Sequence, residues 1–215
     1  MNSIRFATVI ITLLFSTAAG ADEMLMVGDF ANNDLSSWQA NSFVGETRYK
    51  TETGSLTAIA SASASGLVKK IHINLNRTPF LNWSWKIEKS SLLANPTHHE
   101  REKAGEDYPV RIYIVIDGGW AFWRTQALNY VWSANQPIGT SWENAYTSNA
   151  IMLAVDSGKE AAGTWQHHKR NLKEDLKQYL GIEVEQIDAV AIMSDTDNTG
   201  GTTEAAYGNI FFTPE

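Results

Sequence analysis

The stretch Ala189–Gly201, AVAIMSDTDNTGG, joins an apolar segment to a polar turn. The five apolar residues Ala189–Met193 are typical of a buried strand. The turn that follows carries the carboxylates of Asp195 and Asp197 together with hydroxyls, an amide and two glycines. A second strand is predicted directly afterwards, from Ala205 to Phe212. We therefore expect the rest of the chain to form the scaffold that presents this turn.

The pattern outward from this stretch indicates an all-β protein. Residues 67–75 and 81–87 alternate apolar with polar side chains, which is typical of strands with one face in solvent. Residues 111–117 are almost all apolar or β-branched, so they are predicted to form a central strand. The predicted strands are 43–49, 55–60, 67–75, 80–88, 110–117, 127–132, 150–155, 163–169, 187–194 and 205–212. The predicted fold is a two-sheet antiparallel β-sandwich in a single domain, residues 22–215.

One short helix is predicted near residues 171–180. Asn171 is a suitable N-terminal cap, and Leu172, Leu176 and Leu180 recur at helical spacing. Gly181 follows at the position where a helix commonly ends in a left-handed residue.

Charge and the N-terminus suggest a location and exclude some partners. The net charge is −7 and the sequence has no basic tract, which argues against nucleic acid and anionic membranes as partners. Residues 1–21 resemble a secretion signal, with Arg5, an apolar run from Phe6 to Phe15, and small residues at Ala19 and Ala21. That run is shorter than the roughly 20 residues a membrane span needs, so no integral membrane association is expected after signal removal. We expect a periplasmic or secreted protein, held together without disulfides because it has no cysteine.

The Asp195 turn has two interpretations. Alternate oxygen-bearing side chains followed by glycine can bind Ca²⁺, with Asp195 and Asp197 as ligands. The resemblance to an EF-hand ends there, because Ala206 occupies the place of the final glutamate. Alternatively, both aspartates hydrogen-bond their own backbone in a tight turn.

A charged run, residues 98–107, separates two predicted strands and is long for a hairpin connection. It is predicted either to form a lid or rim of a site or to be a solvated loop. The adjacent His98 and His99 lack the spacing of a helical zinc pair.

Aromatic residues interleaved with polar ones occupy residues 118–133. Flat rings stack on the C–H faces of sugars while amides and guanidinium groups bond the hydroxyls, so Arg124, Asn129 and Trp132 suit a carbohydrate ligand. Core packing is the competing explanation for these aromatic side chains.

The candidate ligand site gathers the polar residues of these segments. It comprises Asp107, Arg111, Arg124, Asn129, Tyr130, Trp132, Asp195, Asp197 and Asn198. Arg111 is expected to neutralise Asp107 or Asp195. The first hypothesis is binding of a carbohydrate or similar polar ligand. The alternatives are a glycan-active lyase or hydrolase, with Tyr130 as the base of a lyase, and a structural or interaction module without a small-molecule ligand.

Four blocks of the sequence resemble a bacterial family of exported domains of unknown function, the one numbered three thousand and forty-seven. They are residues 78–85 (TPFLNWSW), 105–113 (GEDYPVRIY), 127–133 (ALNYVWS) and the Asp195 turn. The resemblance implies a fold similar to galactose-binding-like and carbohydrate-binding jelly-roll sandwiches, and it implies export. It implies no activity, and a fold analogy does not supply one.

Overall fold

The computed structural model describes residues 24–52, 54–95 and 98–215, so the predicted signal peptide, residues 1–21, lies outside the described residues. Within them the chain forms fourteen strands. The strands are β1 (Leu25–Gly28), β2 (Gln39–Val44), β3 (Arg48–Glu52), β4 (Ser55–Ser61), β5 (Ala64–Asn74), β6 (Phe80–Ser90), β7 (Arg111–Ile116), β8 (Gln126–Ser133), β9 (Ser141–Asn144), β10 (Thr147–Ser157), β11 (Gln166–Asn171), β12 (Gln186–Asp195), β13 (Thr202–Tyr207) and β14 (Ile210–Thr213).

The strands form two sheets of seven, as the sequence predicted for a β-sandwich. The back sheet has the order β1-β14-β6-β13-β4-β3, with β11 also paired to β6. The front sheet has the order β2-β5-β12-β7-β8-β10-β9. Side chains from both sheets meet in one apolar core, in which Trp83 of β6 stacks on Tyr130 of β8 with ring centroids 5.0 Å apart.

One pairing among the described strands departs from the antiparallel pattern. β8 and β10 run parallel. After β8 the chain forms β9 at the edge of the front sheet, and β10 then lies between β8 and β9, antiparallel to β9. The other strand pairs in the described part of the chain are antiparallel, in agreement with the predicted fold class.

Alternation fixes which face of each strand meets the core. In β6 the residues at every second position, from Leu81 to Ile87, are buried, and those between them are partly exposed. In β7 Ile112 and Ile114 belong to the core, whereas Arg111 and Tyr113 point to the outer face of the front sheet. Arg111 is nevertheless buried, so the outer face of this central strand is itself covered.

The predicted helix is confirmed as α2 (Leu172–Asp175), which continues as a π-helix, Leu176–Leu180. The Asn171 side chain accepts hydrogen bonds from two backbone N–H groups of its first turn, and Gly181 ends the element with a φ of 68°. A one-turn helix, α1 (Ser91–Ala94), follows β6 and was not predicted. None of the described helices is long and apolar enough to cross a membrane.

The C-terminal segment predicted as one strand, residues 205–212, is two strands. β13 and β14 are separated at Gly208 and Asn209. A side chain at Gly208 would collide with the hydroxyl of Ser84, so glycine permits the close approach to β6 at this break. β13 follows the Asp195 turn, as predicted for the second strand, but it pairs with β4 and β6 in the back sheet and not with β12. The turn therefore connects the two sheets.

Candidate ligand-binding site on the outer face of the front sheet

Three neighbouring strands bring polar side chains to one patch of the outer face. Arg111 on β7 lies opposite Met193 on β12, and Tyr113 on β7 lies opposite Asn129 on β8. Residues directly opposite in adjacent strands share a face, so these four side chains are neighbours. Asp195, two positions beyond Met193, lies on the same face at the end of β12.

The charged run covers this patch. Its residues Glu100, Glu106 and Asp107 are almost fully buried, so the run is packed on the sheet. The Glu100 carboxylate accepts hydrogen bonds from the Ser133 hydroxyl and from backbone N–H groups of residues 134–136. The interpretation as a solvated loop holds for His99 and residues 101–104, which are exposed, whereas the end of the run contributes Glu106 to the wall of the site.

The Asp195 turn and the charged run are bonded to each other. The backbone N–H of Tyr108 donates to Asp195 Oδ1 at 3.1 Å, and Asp195 N donates to the Tyr108 carbonyl at 3.1 Å. Asp107 accepts hydrogen bonds from the backbone N–H of Asn198 at 3.2 Å and of Thr199 at 2.7 Å. The conformation of the turn thus depends on residues about ninety positions earlier in the chain.

Arg111 lies at the centre of the patch between two carboxylates. Its Nη1 donates to Glu106 Oε1 at 2.7 Å, and its Nη2 donates to Asp195 Oδ2. The side chains of Arg111, Glu106 and Asp195 are 3%, 6% and 1% exposed. The guanidinium also lies 5.0 Å from the ring centroid of Tyr108 and 5.1 Å from that of Tyr113. Paired charges with additional polar contacts can be buried in this way.

A cavity of about 480 Å³ opens above this patch. Arg111, Tyr113, Asn129 and Met193 contribute to its lining from the three central strands. Glu106, Asp195, Asp197, Asn198 and Asn144 line it from the surrounding loops and strand ends. Its rim is formed by apolar and aromatic side chains that are unusually exposed, Phe43 at 67%, Val44 at 50% and Tyr146 at 56%.

Two buried polar atoms of the cavity lining lack partners. Arg111 Nε and Asn129 Oδ1 make no hydrogen bond with any residue that the structure describes. Asn129 is 0% exposed, and its Nδ2 reaches only the sulfur of Met152, at 3.3 Å. An unsatisfied buried polar group costs about 1–3 kcal/mol. Four other buried atoms of the described residues, in Trp38, Trp83, Trp142 and Thr196, also lack partners, but only Arg111 and Asn129 belong to the cavity lining.

The carboxylates of the site resist ionisation. Burial raises the pKa of Glu106, against the opposing charge and hydrogen bond of Arg111. Burial raises the pKa of Asp195 well above its usual range, and the guanidinium of Arg111 offsets only part of this effect. Burial and the neighbouring charge of Asp107 raise the pKa of Asp197. These three carboxylic acids therefore keep their protons to a higher pH than exposed ones would.

Six of the predicted site residues meet here. They are Asp107, Arg111, Asn129, Asp195, Asp197 and Asn198. Arg111 neutralises Asp195, one of the two partners predicted for it. Its second partner, Glu106, was not predicted.

The other three predicted residues lie elsewhere. Tyr130 and Trp132 point to the opposite side of β8 and are fully buried in the core. The Tyr130 hydroxyl donates to Asp175 Oδ2 at 2.5 Å, and the Trp132 indole donates to the Gly158 carbonyl at 2.9 Å. Arg124 is exposed at the end of the short 3-10 turn Phe122–Arg124, outside the cavity lining.

Strand alternation alone would have placed two further residues at the site, although they were not predicted. Tyr113 lies two positions after Arg111 and Met193 two positions before Asp195, so both share the face of their charged neighbours. No comparable signal identifies Glu106, since several acids of the charged run could have paired with Arg111.

A pair of exposed indoles lies in the connection between β7 and β8. Trp120 is 88% exposed and Trp123 is 56% exposed, with ring centroids 5.9 Å apart. Asn149 Nδ2 donates to the Trp123 carbonyl at 2.9 Å, which links this connection to β10. Neither indole belongs to the cavity lining.

The predicted metal ligands are close to a third carboxylate. One oxygen from each of Asp107, Asp195 and Asp197 lies within 4.8 Å of the others. Every carboxylate oxygen of Asp107 and Asp195 already accepts a hydrogen bond from an N–H group of the protein. A Ca²⁺ ion would have to compete with these donors, and its binding here stays a prediction.

Comparison with known proteins gives a family and a set of structural neighbours. The sequence model of a family described as protein of unknown function (DUF3047) matches residues 36–211. No curated protein matches the sequence.

Among solved structures, a family 11 carbohydrate-binding module from Clostridium thermocellum, in complex with a β-1,3-1,4-mixed-linked tetrasaccharide, is similar over 89% of this chain and 96% of its own, with 11% identity and a TM-score of 0.47. The xyloglucanase domain of NopAA, a type three effector from Sinorhizobium fredii, in complex with cellobiose, is similar over 84% of this chain and 95% of its own, with 10% identity and a TM-score of 0.48. A family 29 carbohydrate-binding module is similar over 90% of this chain and 94% of its own, with 7% identity and a TM-score of 0.43.

Proposed function

The chain belongs to the DUF3047 family, as its sequence motifs indicated, and we propose that it binds a carbohydrate or a similar polar ligand in the cavity above Arg111. The observation that carries this proposal is the pair of buried polar atoms without partners, Arg111 Nε and Asn129 Oδ1. A hydroxyl group both donates and accepts, so a single sugar hydroxyl, or two neighbouring ones, would satisfy both atoms.

The size and lining of the cavity support a small ligand with polar and apolar faces. Its volume of about 480 Å³ lies within the roughly 300–1,000 Å³ of small-molecule sites. The rings of Phe43, Tyr113 and Tyr146 would contact the C–H face of a sugar while the side-chain carbonyl of Asn129 bonds one of its hydroxyls.

The two alternative hypotheses receive less support. The lyase hypothesis used Tyr130 as its base, and Tyr130 lies in the core, hydrogen-bonded to Asp175. A purely structural role agrees with the buried pairing of Arg111 with Glu106 and Asp195, but it leaves the cavity above them without an occupant.

Export to the periplasm or the medium belongs to the same proposal. It rests on the signal-like residues 1–21. N-terminal sequencing of the protein recovered from osmotic-shock fluid and culture medium tests it, and an N-terminus upstream of Gly20 would contradict it.

A glycan array with the labelled protein tests the proposed binding. We expect the native protein to bind one class of glycan and the Asn129→Leu variant to lose that binding. Tyr130→Phe serves as the control in the core of the sandwich and should retain binding. The absence of any bound glycan, or equal binding by Asn129→Leu, would overturn the proposal.

A further inference from the structure

We propose that the ligand of this cavity carries a protonated amino group beside an apolar ring face, as an amino sugar does. This inference rests on the proposed function and assigns the chemical class of the ligand. It follows from the charge, the hydrogen-bonding atoms and the rings of the site.

The charges in and around the cavity are unequal. Four carboxylates, those of Glu106, Asp107, Asp195 and Asp197, face a single guanidinium, that of Arg111. Lys103 lies at the rim, with its Nζ 5.4 Å from the ring centroid of Tyr146. A positive group on the ligand would reduce the remaining excess of negative charge, whereas a carboxylate or phosphate would increase it.

The unused hydrogen-bonding capacity favours a ligand that donates. Asn129 Oδ1 is a buried acceptor without a partner, and it provides an observation independent of the acidic cluster. Asp197 lines the cavity, and its described side-chain partners are the amide of Asn198, at 3.2 Å, and the carboxyl group of Asp107. The one unused buried donor of the lining is Arg111 Nε, among the residues that the structure describes. An ammonium group offers three donors and no acceptor, which suits this arrangement.

The aromatic rings suit an organic cation. Tyr113 and Tyr146 line the cavity, and each already has a cation of the protein within 5.4 Å of its ring centroid. The faces of aromatic rings attract cations through their quadrupoles, and partial removal from water strengthens this attraction. A metal ion would lose most of this interaction, and it would need the carboxylate oxygens that already accept N–H bonds.

The test compares oligosaccharides that differ in one substituent. Isothermal titration would use β-1,4-linked oligomers of glucosamine, of N-acetylglucosamine and of glucose, matched in length, together with oligogalacturonate. In buffer of low ionic strength, at a pH where both Asp197 and the amino groups of the oligomer are ionised, we expect the glucosamine oligomer to bind about tenfold more tightly than the glucose oligomer. The galacturonate should not bind, and added salt should reduce the preference.

Two variants link the preference to the site. Asp197→Asn should reduce the tenfold preference to about threefold, because a partly exposed charge pair is worth about 0.2–1 kcal/mol. The matched control is Glu88→Gln on the back sheet, an exposed acid paired with Lys86, and it should leave the preference unchanged.

The outcomes separate this inference from the proposed function. Equal binding of the glucose and glucosamine oligomers overturns the amino-group assignment and leaves carbohydrate binding in place. No response to any of the four oligomers overturns the assignment, and the glycan array then decides whether binding itself fails. If CaCl₂ displaces the glucosamine oligomer from the native protein but not from Asp107→Asn, the position proposed for the ammonium group belongs to a metal ion. That result would overturn the inference as well.

Discussion

Arg111, the first residue of β7, donates a hydrogen bond to Asp195, the last residue of β12, although the two residues are 84 positions apart in the chain. Both side chains are buried on the outer face of the front sheet, and Glu106 binds the other terminal nitrogen of the guanidinium. This ion pair connects the covering loop, the central strands and the C-terminal turn. The stability of the site and its affinity for a ligand therefore depend on the same guanidinium.

Replacement of Arg111 by methionine should destabilise the fold strongly. The substitution leaves Asp195 and Glu106 buried without their counter-charge, and breaking a buried pair in this way costs about 3–5 kcal/mol. Urea unfolding followed by circular dichroism measures the change. Arg48→Met, at an exposed position of β3, should change the free energy of unfolding by less than about 0.5 kcal/mol. Equal effects of the two substitutions would mean that the pair does not hold the site together.

Replacement of Asn129 by leucine should stabilise the protein while abolishing ligand binding. The substitution removes a buried carbonyl oxygen that has no described partner, so we expect a gain of about 1 kcal/mol in the free energy of unfolding.

The matched control for this variant is Asn144→Leu. The amide of Asn144 is fully used, since its Nδ2 donates to Glu106 Oε1 at 2.5 Å and its Oδ1 accepts from the Tyr146 N–H at 2.9 Å. We expect this variant to lose about 1–2 kcal/mol. Destabilisation of the Asn129 variant by a similar amount would show that its carbonyl has a partner in solution.

Removal of the Tyr130 hydroxyl should affect stability and leave binding intact. Tyr130→Phe deletes the donor to Asp175, whose carboxylate keeps its bonds to Arg170, so a loss of about 1–2 kcal/mol is expected. Tyr146→Phe should show the opposite pattern, because its hydroxyl lies at the exposed rim and donates to Asn198. Denaturation and glycan binding measured on both variants give the comparison, and loss of binding in Tyr130→Phe would contradict the placement of the site.

Asp197 should make the protein more stable at mildly acidic pH. Its pKa is raised in the folded protein by burial and by the charge of Asp107, against a smaller opposing effect of Arg111, whereas the unfolded chain retains the ordinary value of 3.8. Between 3.8 and the raised pKa, the folded state binds the proton more tightly. The contribution of Asp197 to stability is therefore complete below that range and is lost as the pH rises through it.

Unfolding free energies of the native protein and of Asp197→Asn, measured across this range, test the sign. The difference between the two proteins should change in favour of the native protein as the pH falls. A difference that stays constant, or changes in the other direction, would exclude a raised pKa for Asp197.

Periodicity was sufficient to predict the architecture. The alternation in residues 81–87 identified the inward face of β6, and the apolar composition of residues 111–117 identified β7 as a central strand. The short strands at the sheet edges, β1 and β9, have only four residues each and no periodic pattern. Their pairing depends on partners distant in the sequence, so local patterns did not reveal them.

The site prediction failed where residue chemistry took precedence over strand geometry. Asn129, Tyr130 and Trp132 were assigned to one site because all three suit a sugar ligand. On a strand, residue 129 faces the opposite side from residues 130 and 132, so they cannot line one cavity. The structure follows this rule, with Asn129 on the outer face and the two aromatic side chains in the core.

The exposed indoles between β7 and β8 offer an optical signal. Five of the eight tryptophans, Trp38, Trp83, Trp85, Trp132 and Trp142, are buried, whereas Trp120 is 88% exposed. Trp120 will therefore emit at longer wavelength than the core tryptophans and will be quenched first by iodide. Its fluorescence distinguishes changes at the surface of this connection from unfolding of the sandwich, so the two can be followed separately without attaching a dye.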